Sequence, residues 1–104
     1  MPNILMFYIP VPSREVGLEI ARTVVRDSLA ACGNLLGSMT SVYVWKDEVC
    51  EEEERVLILK TTVEKEAALR KRVEELHPYE CPCVLSWDAE VNEDFAEWAE
   101  EQKR

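Results

Sequence analysis

Glycine and histidine are scarce in this sequence. Its 104 residues include three glycines and one histidine. Phosphate-binding loops need closely spaced glycines that let backbone amides approach the phosphate, and no such stretch is present. The G-x-S-x-G motif of serine hydrolases is missing as well. We therefore find no enzymatic constellation and expect a protein that binds a ligand rather than one that catalyses a reaction.

Basic residues are also fewer than acidic ones. Twelve Lys and Arg residues stand against 21 Asp and Glu residues, which leaves a formal net charge of −9. Nucleic-acid binding depends on cations that neutralise phosphates, and anionic membranes have the same requirement, so this balance disfavours both partners. The acidic excess suits binding of cations, or it serves only solubility.

Long hydrophobic runs are absent too. The longest one, residues 4–11, is interrupted by Pro10 and is far shorter than the ~20 apolar residues of a membrane-spanning helix. No basic segment precedes it and no small-residue cleavage site follows it, so we expect no signal peptide and a cytoplasmic protein that starts near Met1. In that compartment we expect free thiols at all four cysteines, which are Cys32, Cys50, Cys81 and Cys83.

The chain has room for a single domain, residues 1–104, with one core. The nearly continuous apolar segment 3–9 predicts a strand buried on both faces. Apolar residues at spacings of three and four then predict a helix over residues 14–31. Ser13 fits the N-cap of this helix, and Gly33 fits its stop.

Two further segments predict a long hairpin. Residues 39–46 alternate strictly, with Ser41, Tyr43 and Trp45 on one face. The apolar run 56–60 predicts the return strand, with a turn at Asp47-Glu48. Strands of about 12 residues or more would reach past the core of so small a body. An overhanging ribbon with exposed aromatic residues needs cover, and a second copy of the chain is the simplest cover.

The remaining elements complete a recognisable order. The T-x-x-E spacing of Thr61 and Glu64 predicts a capping box and a second helix, which His77-Pro78 ends because a residue before proline avoids the helical region. Residues 84–89 predict a last strand, and Asn92 caps a short final helix. The order β-α-β-β-α-β plus a terminal helix is the ferredoxin-like arrangement of an α/β (α+β) protein.

Several local stretches occur in an order and spacing that is specific as a set, although each alone would be weak. They are Leu29-Ala30-Ala31-Cys32-x-Asn34, Ser41-x-Tyr43-x-Trp45, Glu54 before Leu57-x-x-Lys60-Thr61, His77-Pro78-Tyr79-Glu80-x-Pro82, and Trp98. Together they resemble the CutA divalent-cation tolerance family over nearly the whole chain. The resemblance implies a homotrimer with a ferredoxin-like fold, an architecture similar to PII signalling proteins, and a link to tolerance of copper and other divalent metals.

The sequence departs from the family pattern at several positions. Asp47 replaces the glycine usual at the hairpin turn, Gly33 replaces a larger apolar residue, and Cys83 replaces a glutamate. Some relatives carry a cysteine near the end of the first strand that is implicated, with the histidine, in copper binding. The corresponding position here is Ile9, so that copper site keeps His77 and loses the thiol.

Three side chains are candidate metal ligands. Neutral imidazole is the commonest protein ligand for metals, and His77 is either such a ligand or a helix-ending residue that hydrogen-bonds the backbone. Cys81 and Cys83 lie two residues apart, so in a strand they share a face, and thiolates are soft donors suited to Cu(I) or Zn(II). The alternative is that both cysteines pack as small hydrophobic residues.

The acidic run Glu51–Glu54 has two interpretations as well. Alternation places Glu52 and Glu54 on one face, where carboxylates could bind a hard cation, whereas a solvated run would merely protect an exposed ribbon. For Glu54 the family resemblance suggests a specific role, such as a salt bridge with Lys60 or with a neighbouring subunit. We assign a larger set to interfaces or clefts between subunits, namely Cys32, Tyr43, Trp45, Glu54, Lys60 and Tyr79. The aromatic members of this set either form the wall of a pocket or, as we favour, pack in the interface.

Three functional hypotheses follow. The first is a homotrimeric metal-tolerance protein that binds copper or another divalent ion, with no organic cofactor. The second is a PII-like signalling or scaffold module that binds a small molecule or a partner protein between subunits. The third is a ferredoxin-like hydrolase such as an acylphosphatase, but residues 10–14 offer Arg14 without the glycine-rich anion cradle that this chemistry needs.

Overall fold

The computed structural model describes residues 1–101. The elements are β1 (Asn3–Val11), α1 (Arg14–Arg26), β2 (Cys32–Trp45), β3 (Glu48–Thr61), a 3-10 turn (Val63–Lys65), α2 (Glu66–Leu76), β4 (Leu85–Glu90) and α3 (Glu93–Glu101). The strands form one sheet in the order β2-β3-β1-β4, and every neighbouring pair is antiparallel. This confirms the predicted ferredoxin-like α/β fold. Residues 102–104 lie outside the described part. They include Lys103 and Arg104, whose positive charges we expect to suit the dipole at the end of the last helix.

The core lies between one face of the sheet and the helices α1 and α2. Strand residues Phe7 and Ile9 are fully buried there because they alternate toward the helices. The complete cluster is Leu5, Phe7, Ile9, Val11, Ile20, Val24, Ala30, Leu57, Leu59, Leu69 and Val73. Within residues 1–101, no helix is long and apolar enough to cross a membrane.

Helix α1 is shorter than the sequence predicts. It ends at Arg26 rather than near residue 31. Ser28 has a φ of 62°, which turns the backbone out of the helix. The Leu29 and Ala30 amides then both donate to the Val24 carbonyl, at 2.9 and 3.1 Å. The stop is therefore a serine in the left-handed region, so the predicted glycine stop is wrong.

Gly33 lies in β2 instead. A Cβ atom at this position would lie 3.0 Å from Leu59 Cδ2 and 3.3 Å from Ala21 Cβ. Glycine lets the first residues of β2 approach the core closely, so a larger side chain here would require its neighbours to move.

The start of α2 also differs from the prediction. The Thr61 hydroxyl donates to the Leu29 carbonyl at 2.7 Å and does not cap the helix. Thr62 stands at the N-cap of the 3-10 turn without a side-chain hydrogen bond. The predicted capping box of Thr61 and Glu64 is therefore wrong, because the threonine side chain instead connects β3 to the loop after α1.

The strands β2 and β3 form the predicted long hairpin, which we call the ribbon. Each strand has 14 residues, and pairing runs from Cys32 opposite Lys60 to Trp45 opposite Glu48. A register irregularity between Leu35 and Ser38 divides the ribbon into an inner half against the core and an outer half beyond it. The molecule accordingly measures 45 × 26 × 23 Å.

The ribbon turns one residue earlier than predicted. Lys46 and Asp47 are the two turn residues, with φ values of 51° and 68°. Two consecutive residues with positive φ are typical of a type I′ turn, whose twist matches that of a hairpin. Neither residue is glycine, so the sequence carries little signal for this turn.

Candidate functional site

A cleft opens where the connecting loop between α2 and β4, residues 77–84, passes the outer half of the ribbon. Its volume is about 610 Å³. The lining residues are Pro10 from β1, Ser41, Tyr43 and Trp45 from β2, Glu52 and Glu54 from β3, and Pro78, Tyr79, Glu80, Cys81 and Cys83 from the connecting loop. Six of the predicted site residues therefore meet in this one cleft, namely Tyr43, Trp45, Glu54, Tyr79, Cys81 and Cys83.

Strand alternation builds the ribbon wall of the cleft. Directly opposed residues share a face of an antiparallel pair, and Ser41 lies opposite Glu52 while Met39 lies opposite Glu54. The lining contains Glu52 and Glu54 but neither Glu51 nor Glu53. The predicted division of the acidic run between two faces is thus confirmed.

His77 holds the connecting loop in place. The residue is 6% exposed, and its Nε2 lies 2.8 Å from the Pro10 carbonyl oxygen. The Tyr79 backbone amide donates to Nδ1 at 3.2 Å. Because Nδ1 accepts, we assign the proton to Nε2, which then donates to Pro10. This is the neutral imidazole, and both of its nitrogens are occupied by the backbone.

Tyr79 and Glu54 form the inner end of the cleft. The Tyr79 hydroxyl donates to Glu54 Oε2 at 2.6 Å, and Glu54 is 8% exposed. Burial and the hydrogen bond to Glu54 raise the pKa of Tyr79 well above its usual value. The rings of His77 and Tyr79 are also in contact, with centroids 4.7 Å apart.

Lys60 is not the partner of Glu54. Its ammonium lies 5.6 Å from the centroid of the Phe95 ring, near the inner end of the ribbon. The ion pairs among residues 1–101 do not include Glu54. The predicted salt bridge between Glu54 and Lys60 is therefore wrong, and Lys60 with its pairing partner Cys32 lies outside the cleft lining.

Two aromatic side chains face the solvent side of the cleft. Tyr43 and Trp45 are 40% and 41% exposed. Desolvation and the negative charge of Glu52 raise the pKa of Tyr43. The Lys46 ammonium lies 5.8 Å from the centroid of the Trp45 ring, within the range of a cation–π contact.

The cysteines are all free thiols, and Cys81 and Cys83 are exposed at the mouth of the cleft. Within residues 1–101, however, no group of three or more His, Cys, Asp or Glu side chains is arranged to hold a metal ion. His77, Cys81 and Cys83 therefore do not converge in a single chain. Their role as metal ligands stays a prediction.

Strand alternation already placed Ser41 and Glu52 on the faces of Tyr43 and Glu54, and both lie in the lining. Sequence reasoning missed other lining residues, among them Pro10. Pro10 had no such signal because its contact with His77 joins positions 67 residues apart. Only the tertiary fold brings the end of β1 under the connecting loop.

Comparison with known proteins agrees with this architecture. The family model described as CutA1 divalent ion tolerance protein matches residues 5–102. The Divalent-cation tolerance protein CutA of Thermus thermophilus is 42% identical over 94 residues, which cover 89% of this chain and 91% of the relative. Protein CutA of Mus musculus is 37% identical over 88% of this chain, and the match spans about half, 52%, of that longer relative.

Solved structures give the same result. The crystal structure of divalent ion tolerance protein CutA1 from Ehrlichia chaffeensis has a TM-score of 0.92 and 32% identity, with 98% of this chain and 96% of that chain covered. The structure of the divalent cation tolerance protein from Thermus thermophilus has a TM-score of 0.90 and 38% identity, covering 97% and 99%. On sequence and on fold, this chain belongs to the CutA1 divalent ion tolerance family.

Proposed function

We propose that this chain is the subunit of a cytoplasmic homotrimer that contributes to tolerance of copper and other divalent cations by binding metal ions, without catalysing a reaction. Membership of the CutA1 family supports the tolerance role. The observation that carries the binding role is the cleft lining, which combines three carboxylates and two thiols and, among the described residues, has no Lys, Arg or His. Such a wall attracts cations and repels anions.

The proposed donors lie at the mouth of the cleft. The exposed thiols of Cys81 and Cys83 are soft ligands that favour Cu(I). His77 contributes as a third donor only if its Nδ1 gives up the hydrogen bond from the Tyr79 amide. Donors from a second copy would complete the coordination, since one chain does not assemble three of them within residues 1–101.

The outer half of the ribbon supports assembly. Its apolar side chains are largely exposed to solvent, since Val42, Val44 and Val49 are 64%, 68% and 74% exposed. Contiguous exposed apolar surface on a protruding ribbon is typical of a protein interface. We infer that neighbouring copies cover it, as in the homotrimer that the family resemblance implies.

Anaerobic Cu(I) titration against a chromophoric chelator tests the metal hypothesis. We expect the wild-type protein to compete for Cu(I), and the double variant Cys81→Ser with Cys83→Ser to lose that competition. Cys32→Ser is the matched control, because it removes a half-buried thiol outside the cleft lining. Failure of the wild-type protein to bind Cu(I) or any divalent ion would remove the hypothesis. Unchanged binding in His77→Ala would remove only His77 from the donor set.

Light scattering tests the assembly. We expect the mass of three chains for the wild-type protein and a lower mass for Val44→Glu, which places a charge on the outer ribbon. Ala67→Glu adds the same charge to α2 and should leave the mass unchanged. A wild-type protein that stays monomeric at high concentration contradicts the proposal.

A second candidate function is a PII-like module that binds a small molecule or a partner protein in the cleft. The cleft volume, about 610 Å³, lies in the range of small-molecule sites, and its wall is aromatic. Thermal-shift screening in the presence of a metal chelator tests this candidate. Stabilisation by an organic compound under those conditions supports it, and stabilisation that vanishes with the chelator contradicts it.

A further inference from the structure

Glu54 is a buried acidic residue that takes part in no ion pair within residues 1–101. The residue is 8% exposed, and the Tyr79 hydroxyl that donates to it is neutral. Neither ion pair in this part of the chain includes it. Removing a carboxylate from water costs several kcal/mol, so such groups are usually paired with a cation. Glu54 lines the cleft, and its charge is therefore available to a positively charged occupant.

The cleft that Glu54 lines also contains aromatic side chains. Tyr43, Trp45 and Tyr79 line the same cleft as Glu54. Aromatic faces carry partial negative charge and attract cations within about 6 Å of the ring centroid. The Trp45 ring already makes such a contact with the Lys46 ammonium, at 5.8 Å. The cleft thus combines carboxylates with the surface that weakly hydrated cations prefer.

The carboxylates are spread along the wall rather than gathered at one point. A compact metal ion requires several oxygen ligands at about 2.0–2.6 Å, and no three acidic or soft donors in residues 1–101 are arranged for this. An organic cation has a diffuse charge and an apolar surface, so it gains from separated carboxylates and from ring contacts together. The volume of about 610 Å³ also exceeds the space that one metal ion fills.

From these features we propose that the cleft binds a small quaternary ammonium compound, with its methyl groups against Tyr43 and Trp45 and its charge directed toward Glu52 and Glu54. This inference rests on the second candidate function, a small-molecule site in the cleft, and names the chemical class of the ligand. Its proposed contacts are rings and carboxylates, whereas the metal hypothesis uses the thiols of Cys81 and Cys83 in the same lining.

Isothermal titration calorimetry of the metal-free wild-type protein with choline is the direct test. The matched probe is the uncharged carbon analogue of choline, in which a tert-butyl group replaces the trimethylammonium group. We expect choline to bind about tenfold more tightly than this analogue, as a desolvated cation–π and carboxylate contact predicts. Equal affinities would overturn the charge recognition, and absence of choline binding would overturn the proposal, including the case in which a side chain of a second copy fills the cleft.

Variants of the acidic run locate the site. We expect Glu54→Gln to weaken choline binding about tenfold and Glu52→Gln about threefold. Glu51→Gln removes the same charge from the opposite face of β3 and should leave the affinity unchanged. Because Glu54 is buried, Glu54→Gln is checked for folding by circular dichroism, and the exposed Glu52→Gln keeps the proposal testable if that variant unfolds. Equal effects of Glu52→Gln and Glu51→Gln would overturn the site, since choline would then respond only to net charge.

Titrations of the metal-free wild-type protein with choline and with Cu(I) separate the two proposals. Choline binding without Cu(I) binding in the wild-type protein contradicts only the metal hypothesis. Cu(I) binding without choline binding contradicts only the ammonium site.

Discussion

The inner and outer halves of the ribbon share one ladder of backbone hydrogen bonds, but they differ in how far their side chains are buried. In the inner half, Leu57 and Leu59 are fully buried beneath the helices. In the outer half of the same strand, Val49 is 74% exposed. The strands therefore continue past the point at which their side chains cease to be buried. Backbone hydrogen bonds between strands do not require a core, whereas the burial of apolar side chains does.

The cleft lies at that boundary. Glu54 is buried although its neighbours toward the turn are exposed, because Tyr79 of the connecting loop reaches it. At this boundary the connecting loop covers the ribbon only partly, and the cleft opens beside it. The proposed ligand site and the proposed assembly surface both depend on a hairpin that extends beyond the core of its own chain.

The largest expected effect contrasts the two halves of β3. Leu59→Ala should lower the free energy of unfolding by about 2–5 kcal/mol, because a fully buried leucine leaves a cavity. Val49→Ala should lower it by less than about 0.5 kcal/mol in the single chain, since its side chain is mostly in water. Urea unfolding at concentrations where light scattering finds single chains checks both values. Similar losses at the two positions would contradict the contrast.

The next effect concerns the boundary. Tyr79→Phe removes the hydrogen-bond donor of a buried carboxylate, and we expect a loss of about 1–3 kcal/mol. Tyr8→Phe is the control, because within residues 1–101 that hydroxyl donates a long hydrogen bond to the Met39 sulfur, at 3.8 Å, and none to a carboxylate. Urea unfolding at neutral pH measures both variants.

The same pair of variants tests the alkaline limb of stability. The pKa of Tyr79 is raised in the folded state above its ordinary value of 10.0. Above pH 10 the unfolded chain releases this proton while the folded chain keeps it, so stability falls as pH rises. The fall should be shallower in Tyr79→Phe than in Tyr8→Phe. Identical pH profiles above pH 10 would show that the hydrogen bond to Glu54 does not hold the proton.

A smaller effect is expected at the tip of the ribbon. Asp47 has a φ of 68°, a conformation that costs most side chains about 1–2 kcal/mol and that glycine adopts freely. Asp47→Gly should therefore stabilise the hairpin by about 0.5–1 kcal/mol, and Asp47→Ala should destabilise it. Amide exchange of the outer half measures the change locally. Faster exchange in Asp47→Gly would contradict this account of the turn.

The smallest effect is expected on the surface of the body. The ion pair between Arg72 and Glu75 spans 3.3 Å, and its side chains are 39% and 50% exposed. Exposed pairs of this kind contribute little, so Glu75→Gln should change stability by less than about 0.5 kcal/mol. Thermal unfolding at low and high salt measures it. A larger loss would show that the body depends on surface charge as well as on its core.

Much of the fold follows from local patterns in the sequence. The alternation of residues 39–46 and the apolar run 56–60 predict the ribbon strands because side-chain period and β-branching act locally. The predicted helix limits are wrong at two points. Thr61 donates to Leu29 instead of capping α2, and Ser28 ends α1 without any glycine.

The cleft was only partly predictable. The face shared by Tyr43 and Trp45 and the division of the acidic run follow from alternation. The partner of Glu54 does not, because a carboxylate in a strand has no local signal for whether a lysine or a tyrosine reaches it. In the folded chain the partner is Tyr79, which lies 25 positions from Glu54 in the sequence.

By itself the sequence determined the order of elements, the length and amphipathic character of the ribbon, the acidic balance and the membership of its family, because these depend on residue type and spacing. The tertiary structure alone decided that both nitrogens of His77 are bound to backbone, that Lys60 lies outside the cleft, and that Glu54 is buried without a cation among the described residues. Those outcomes depend on which distant segments contact each other in the fold. Burial and hydrogen-bond partners are set by such contacts and not by the residues of any one segment.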